Sequence, residues 1–234
     1  MGGLLQRLPG SGYGVRAAML NLAAAIAVSL CAGTAGAKQI TIAALGDSLT
    51  QGYGLPQEDG FVPQLERWLR AQGEQVNLIN AGVSGDTTAG GLSRVAWTLT
   101  PEVGGLIVAL GGNDLLRGID PANTRANLDA IMQTAQAAGV EVLLVGLSAP
   151  GNYGPDYKTA FDAIYPDLAQ SYGALYYPSF LKGLTDLPDR GAALRDYMQG
   201  DGIHPTAKGV ALIVEAMGPK VLDLIARVRA GDGT

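Results

Sequence analysis

The chain has 234 residues, 47% of them hydrophobic and 16% charged, and its 34 Gly and 12 Pro stay below low-complexity content, so disorder is excluded. Asp and Glu number 21 against 16 Lys and Arg, a net charge of −5. A surface of that sign repels phosphate backbones and excludes nucleic acid as an expected partner.

Residues 1–37 carry no Asp or Glu and only Arg7 and Arg16 as charges, then run apolar from 17 to 32 before Ala35-Gly36-Ala37. A basic start, a short apolar run and small residues ahead of a cut form the pattern of a secretory signal peptide, with cleavage expected after Ala37. The apolar run, interrupted by Asn21, is shorter than the roughly 20 residues a membrane span needs. Bulky Leu30 argues against lipid attachment at Cys31. The expected mature chain, 38–234, is one domain in the periplasm or outside the cell. Loss of both leader arginines takes the net charge from −5 to −7, and loss of Cys31 removes the only thiol. Disulfides, a Cys nucleophile and thiolate metal sites are therefore excluded from it.

In the mature chain, short β-branched apolar runs alternate with stretches of helical period, which predicts βαβ units and a parallel sheet covered on both faces. Residues 39–45 read as the first strand. Phe61, Val62, Leu65, Trp68 and Leu69 recur at helical spacing up to Gly73, a C′ glycine. Strands two, three and four are expected at 76–79, 105–110 and 141–147. Asp120 as N-cap and Pro121 at N1 open a helix with the stripe Leu128, Ile131, Met132 and Ala135, which closes at Gly139. Residues 157–173 read as a helix kinked by Pro166, 174–177 as a fifth strand and 178–200 as irregular. In the last helix Val210, Ile213, Val214, Met217, Val221, Leu224, Ile225 and Val228 share one apolar face, with Pro219 as a bend.

His204 is the single histidine of the mature chain, so any imidazole-dependent mechanism uses it. Asp201 lies three residues upstream, and Pro205 biases His204 away from helical geometry while favouring a helix start after it. Such a loop holds a carboxylate against one ring nitrogen and leaves the other exposed, which orients a general base. Ser48 follows the first strand in Gly46-Asp47-Ser48-Leu49, at the sheet edge where open α/β folds place their sites. Taken alone it is equally a capping or turn serine. No GxSxG elbow occurs, which excludes the common α/β-hydrolase arrangement. Two further strand ends offer donors for an oxyanion: Gly82 within residues 80–86, and the Asn113 amide beside Gly111-Gly112. Each alone also suits a tight turn. Gly111-Gly112 lacks the Lys and Ser or Thr of a phosphate-binding P-loop.

Together these four blocks, in order, resemble those of the SGNH or GDSL hydrolases, closest to the bacterial periplasmic thioesterase I, lysophospholipase L1 and arylesterase group. The resemblance spans the mature chain. It implies a flavodoxin-like three-layer α/β/α fold with a five-stranded, mainly parallel sheet. It also implies Ser48 as nucleophile, His204 as base and Asp201 as its orienting partner, with Ser48 N–H, Gly82 N–H and the Asn113 amide as oxyanion hole. Leu115 and Leu116 are similar to a mobile substrate loop, and Asn152 and Tyr153 to an acyl-contacting loop in which Gly151 is an added residue. The implied activity is hydrolysis of a small-molecule ester or thioester, with no metal or organic cofactor and no stable membrane span in the mature chain. Two other functions fit the same blocks: a carbohydrate O-deacetylase with the same triad, and a non-catalytic protein that binds apolar ligands.

Overall fold

The computed structural model describes residues 1–3 and 39–231. Positions 4–37 of the expected leader lie outside the described residues. Five strands, β1 (Ile40–Gly46), β2 (Val76–Gly82), β3 (Val103–Ala109), β4 (Glu141–Val145) and β5 (Leu175–Tyr177), form one sheet in the order β2-β1-β3-β4-β5. Every pair is parallel. The helices are α1 (Ser48–Gln51), α2 (Phe61–Ala71), α3 (Thr88–Thr98), α4 (Gly112–Leu116), α5 (Pro121–Ala137), α6 (Pro155–Tyr172), α7 (Lys182–Thr185), α8 (Arg190–Tyr197) and α9 (Ala207–Gly231).

Strand alternation divides the core in two. Ile42, Ala44, Ile107, Leu143 and Val145 face a cluster completed by Phe61 and Leu65 of α2 and by Ile213, Met217, Val221 and Leu224 of α9. Ala43, Leu45, Leu106, Val108 and Leu144 face the other side, with Val95 of α3, Leu128 and Ile131 of α5, and Phe161 and Ile164 of α6. Successive strand side chains point to opposite faces, so strands sealed on both sides read as continuous apolar runs. The result is the expected three-layer α/β/α fold.

The chain lays β2 on one side of β1 and then returns to lay β3 on the other. The order reverses between the carboxyl ends of β1 and β3, the crevice where open α/β sheets hold ligands. Ser48 leaves β1 and Gly111-Gly112 leaves β3 at that point.

Several expected boundaries move. β2 runs on to Gly82, pairing Gly46 with Gly82, because its last residues are polar or small and lie on an edge strand where no apolar signal is required. β4 stops at Val145. A Cβ on Gly146 would lie 2.7 Å from Pro178 O, so the backbones converge there as the strand ends. The expected irregular stretch 178–200 contains α7 and α8, the latter capped by Asp189, whose carboxylate accepts from Ala192 N–H at 3.0 Å. α6 begins at Pro155 and runs through Pro166. Gly73 and Gly139 have φ of +93° and +68°, the left-handed geometry expected after α2 and α5.

Candidate active site

Asp47 caps α1: its Oδ1 accepts from Leu49 N–H at 3.0 Å, and the one-turn helix closes at Gly52 in left-handed geometry. This abrupt strand-to-helix turn sets Ser48 at the first helical position, half-buried, above the end of β1. N–H groups of a first helical turn have no partner within the helix. Ser48 N–H is one of them.

The partner imidazole comes from the other end of the chain. Residues 198–205 fold back on themselves through an antiparallel bridge between Met198 and Pro205. Gln199 N–H donates to His204 O at 2.7 Å, and Thr206 N–H to Tyr197 O at 2.8 Å. Gln199 Nε2 donates to Pro205 O and to Tyr53 O, both at 2.9 Å, which ties this turn to the segment after α1. Within the turn, Asp201 Oδ1 accepts from Ile203 N–H and His204 N–H, and its Oδ2 lies 2.6 Å from His204 Nδ1. His204 Nε2 lies 2.8 Å from Ser48 Oγ. The backbone N–H and ring N–H of His204, together with Ile203 N–H, hold the Asp201 carboxyl well below the usual range. An ionised Asp201 makes Nδ1 the donor, which leaves Nε2 to accept the Ser48 proton. The ring of Tyr53 packs on His204, centroids 4.5 Å apart.

A cavity of about 240 Å³ opens at Ser48 and His204, lined also by Asp47, Asn113, Leu116, Tyr53 and Ile203. Leu116, Tyr53 and Ile203 are exposed at its mouth. Of the other positions singled out in the sequence, Leu115 turns away and packs on the core. Tyr153 reaches toward the mouth, its ring 4.9 Å from that of Tyr157 and its hydroxyl 3.4 Å from Leu116 O. Asn152 is exposed beside it. Gly82 N–H donates to Asn80 Oδ1 at 3.0 Å. A Cβ on Gly82 would lie 2.3 Å from Gln51 N, so only glycine lets β2 approach α1 this closely.

Three supporting residues escape sequence reasoning. Asp47 is 5% exposed, and burial pushes its carboxyl up to about 6, against the Leu49 N–H bond and the charge of His204, which lower it. Its Oδ2 lies 3.5 Å from Asn113 Nδ2. Arg94 of α3 donates to Gly46 O and Ala81 O and pairs with Asp86, binding the ends of β1 and β2 together. Asp114, fully buried after Asn113, accepts from Thr88 N–H, Thr88 Oγ1 and Thr124 Oγ1, which pins α4 to α3 and α5. For Asp47 and Asp114 the one signal is a charged residue shortly after an apolar strand end, which also marks any turn; Arg94, inside α3, carries no such signal.

Among the described residues no group of three or more His, Cys, Asp and Glu side chains is placed to hold a metal ion, and no helix is long and apolar enough to cross a membrane.

Residues 44–212 match the model of the GDSL-like lipase/acylhydrolase family. Over 186 residues the chain is 38% identical to Esterase TesA of Pseudomonas aeruginosa, covering 79% of this chain and 89% of that protein. It is 35% identical to the thioesterase 1/protease 1/lysophospholipase L1 of Escherichia coli, covering 79% and 85%. The crystal structure of AlinE4, an SGNH-hydrolase family esterase, superposes with a TM-score of 0.64 at 44% identity, over 80% of this chain and 96% of that one. By sequence and by fold, then, the chain belongs to the GDSL-like lipase/acylhydrolase family.

Proposed function

We propose that this carboxylic ester hydrolase works by two-step acyl transfer, with Ser48 as nucleophile, His204 as general base and Asp201 holding the imidazole in its acceptor tautomer. The observation that carries the proposal is the hydrogen-bonded line from Ser48 Oγ through both ring nitrogens of His204 to Asp201 Oδ2, at 2.8 and 2.6 Å. His204 Nε2 takes the hydroxyl proton as Ser48 Oγ bonds to the acyl carbon. The tetrahedral adduct then expels the alcohol or thiol, which leaves with the proton from His204. Water repeats the sequence and frees the acid. Ser48 N–H, Gly82 N–H and Asn113 Nδ2 receive the oxyanion. Gly82 gives up its bond to Asn80 to do so.

Leu116, Tyr53 and Ile203 at the mouth favour an ester or thioester with an apolar acyl group over a sugar acetate. Tyr153 and Asn152 extend that wall. The relatives' names of esterase, thioesterase and lysophospholipase lie within this class, and the protease name of the Escherichia coli relative denotes acyl transfer from an amide. The test is a panel of p-nitrophenyl esters of rising acyl length, an acyl thioester and acetylated xylan, run on the parent, Ser48→Ala and Asn113→Ala. Turnover that rises with acyl length, vanishes in Ser48→Ala and falls about 10²- to 10³-fold in Asn113→Ala is expected. Preference for acetylated xylan would favour the O-deacetylase instead.

We also propose that residues 1–37 are an export signal and that the mature protein acts in the periplasm or outside the cell. Mass spectrometry of the exported protein should find Lys38 at its amino terminus. A product that keeps the leader would refute export with cleavage.

A further inference from the structure

A second cavity, of about 280 Å³, lies on the far side of the turn that carries Asp201 and His204. Its walls are Leu184, Ala193, Leu194 and Met198, with Arg190 and Gly202 at its edge. It shares no lining residue with the cavity at Ser48: Gly202 borders this one, whereas Ile203 and His204 border the other. Leu194 is left 58% exposed there, a large apolar side chain more than half open to solvent.

The charges around this cavity are uneven. Asp186 is held by Lys182, and Asp189 is engaged in capping α8 through Ala192 N–H. The Arg190 side chain makes neither a hydrogen bond nor an ion pair with any described residue. The edge therefore presents one unengaged guanidinium over an apolar interior. A guanidinium recognises a planar carboxylate through two parallel hydrogen bonds, and the interior is suited to an alkyl chain. Ligand pockets for larger molecules run roughly 300–1,000 Å³, so this volume matches a single chain of medium length.

We infer that the cavity between α7, α8 and the 198–202 turn binds an aliphatic monocarboxylate, its chain between Leu184 and Met198 and its carboxylate on Arg190. Such an acid is also the product class of the reaction proposed above. The assignment, however, rests on this cavity's own residues, and its test is independent of Ser48.

Met198 is the reporter. Met132 and Met217 are buried in the two cores, and none of these three methionines lines the cavity at Ser48. The protein carrying ¹³C-methyl methionine is titrated with octanoate, and separately with 1-octanol. A saturable shift of the Met198 methyl with octanoate is expected, with Met132 and Met217 unmoved. Arg190→Gln, at an exposed position, should weaken octanoate about tenfold or more, as loss of a charge-assisted contact implies, and leave octanol unchanged. Absence of a Met198 shift would overturn the site. Octanoate binding that is indifferent to Arg190→Gln, or octanol binding as tight as octanoate, would overturn its assignment to a carboxylate.

Discussion

Asp47 has two duties that pull against each other. It caps the helix that presents Ser48, and it is shut away from water beside Asn113. Folding raises its carboxyl from 3.8 to about 6, so the folded protein holds that proton more tightly than the open chain does. The associated stability is fully present below 3.8 and is lost as the pH rises through about 6, where the buried group takes on its charge. Asp47→Asn keeps an oxygen for Leu49 N–H and removes the charge. Urea unfolding should show the variant gaining on the parent by about 2 kcal/mol between about pH 4.5 and pH 8. A difference that stays constant with pH would show that Asp47 is not desolvated in solution as the geometry requires.

Among the elements, the 198–205 turn has the strictest geometric task, since it brings Asp201 and His204 to Ser48 while joining α8 to α9. Gly209, in the first turn of α9, is packed against it. A Cβ there would lie 2.2 Å from Tyr197 O, the same oxygen that accepts from Thr206 N–H, and 3.1 Å from Pro205 Cβ. Gly209→Ala must therefore push the turn. Overpacking of this kind costs about 1–3 kcal/mol, so Tm should fall by several degrees and kcat should fall with it even well below Tm. Unchanged values of both would show that the turn has slack.

The same elements show what was legible in sequence. His204 was legible by elimination, being the one imidazole of the expected mature chain, and Asp201 by its place in the same turn. Strands sealed on both faces announced themselves as apolar runs. α3 did not, because Gly90, Gly91 and four Ser or Thr residues between 87 and 98 dilute its periodicity, and Thr88 is buried by its bond to Asp114 rather than by apolarity. α7 and α8 were hidden because one and two turns of helix hold too few residues to set a period. The roles of Arg94 and Asp114 depend on partners from other elements, 48 residues distant for Gly46 O and 26 for Thr88. No local pattern encodes such pairings.

On the scale of the whole molecule, the strand order does most of the assembly. Placing β2 and β3 on opposite sides of β1 opens one crevice at the carboxyl edge, and the loops after β1, β2 and β3 all end there. α9 packs along one face of the sheet, so its leading turn is carried to the same edge. In this way a hydroxyl and an imidazole 156 residues apart come within 2.8 Å. The core contributes no chemistry, and the sheet only the proposed donor Gly82 N–H at the end of β2; otherwise both fix distances. The most direct measurement is reaction with a fluorophosphonate followed by peptide mass mapping, on the parent and on His204→Ala. A single adduct on Ser48 in the parent, formed far more slowly in His204→Ala, is the predicted result. An adduct on another serine, or labelling of Ser48 at the same rate without the imidazole, would contradict the account.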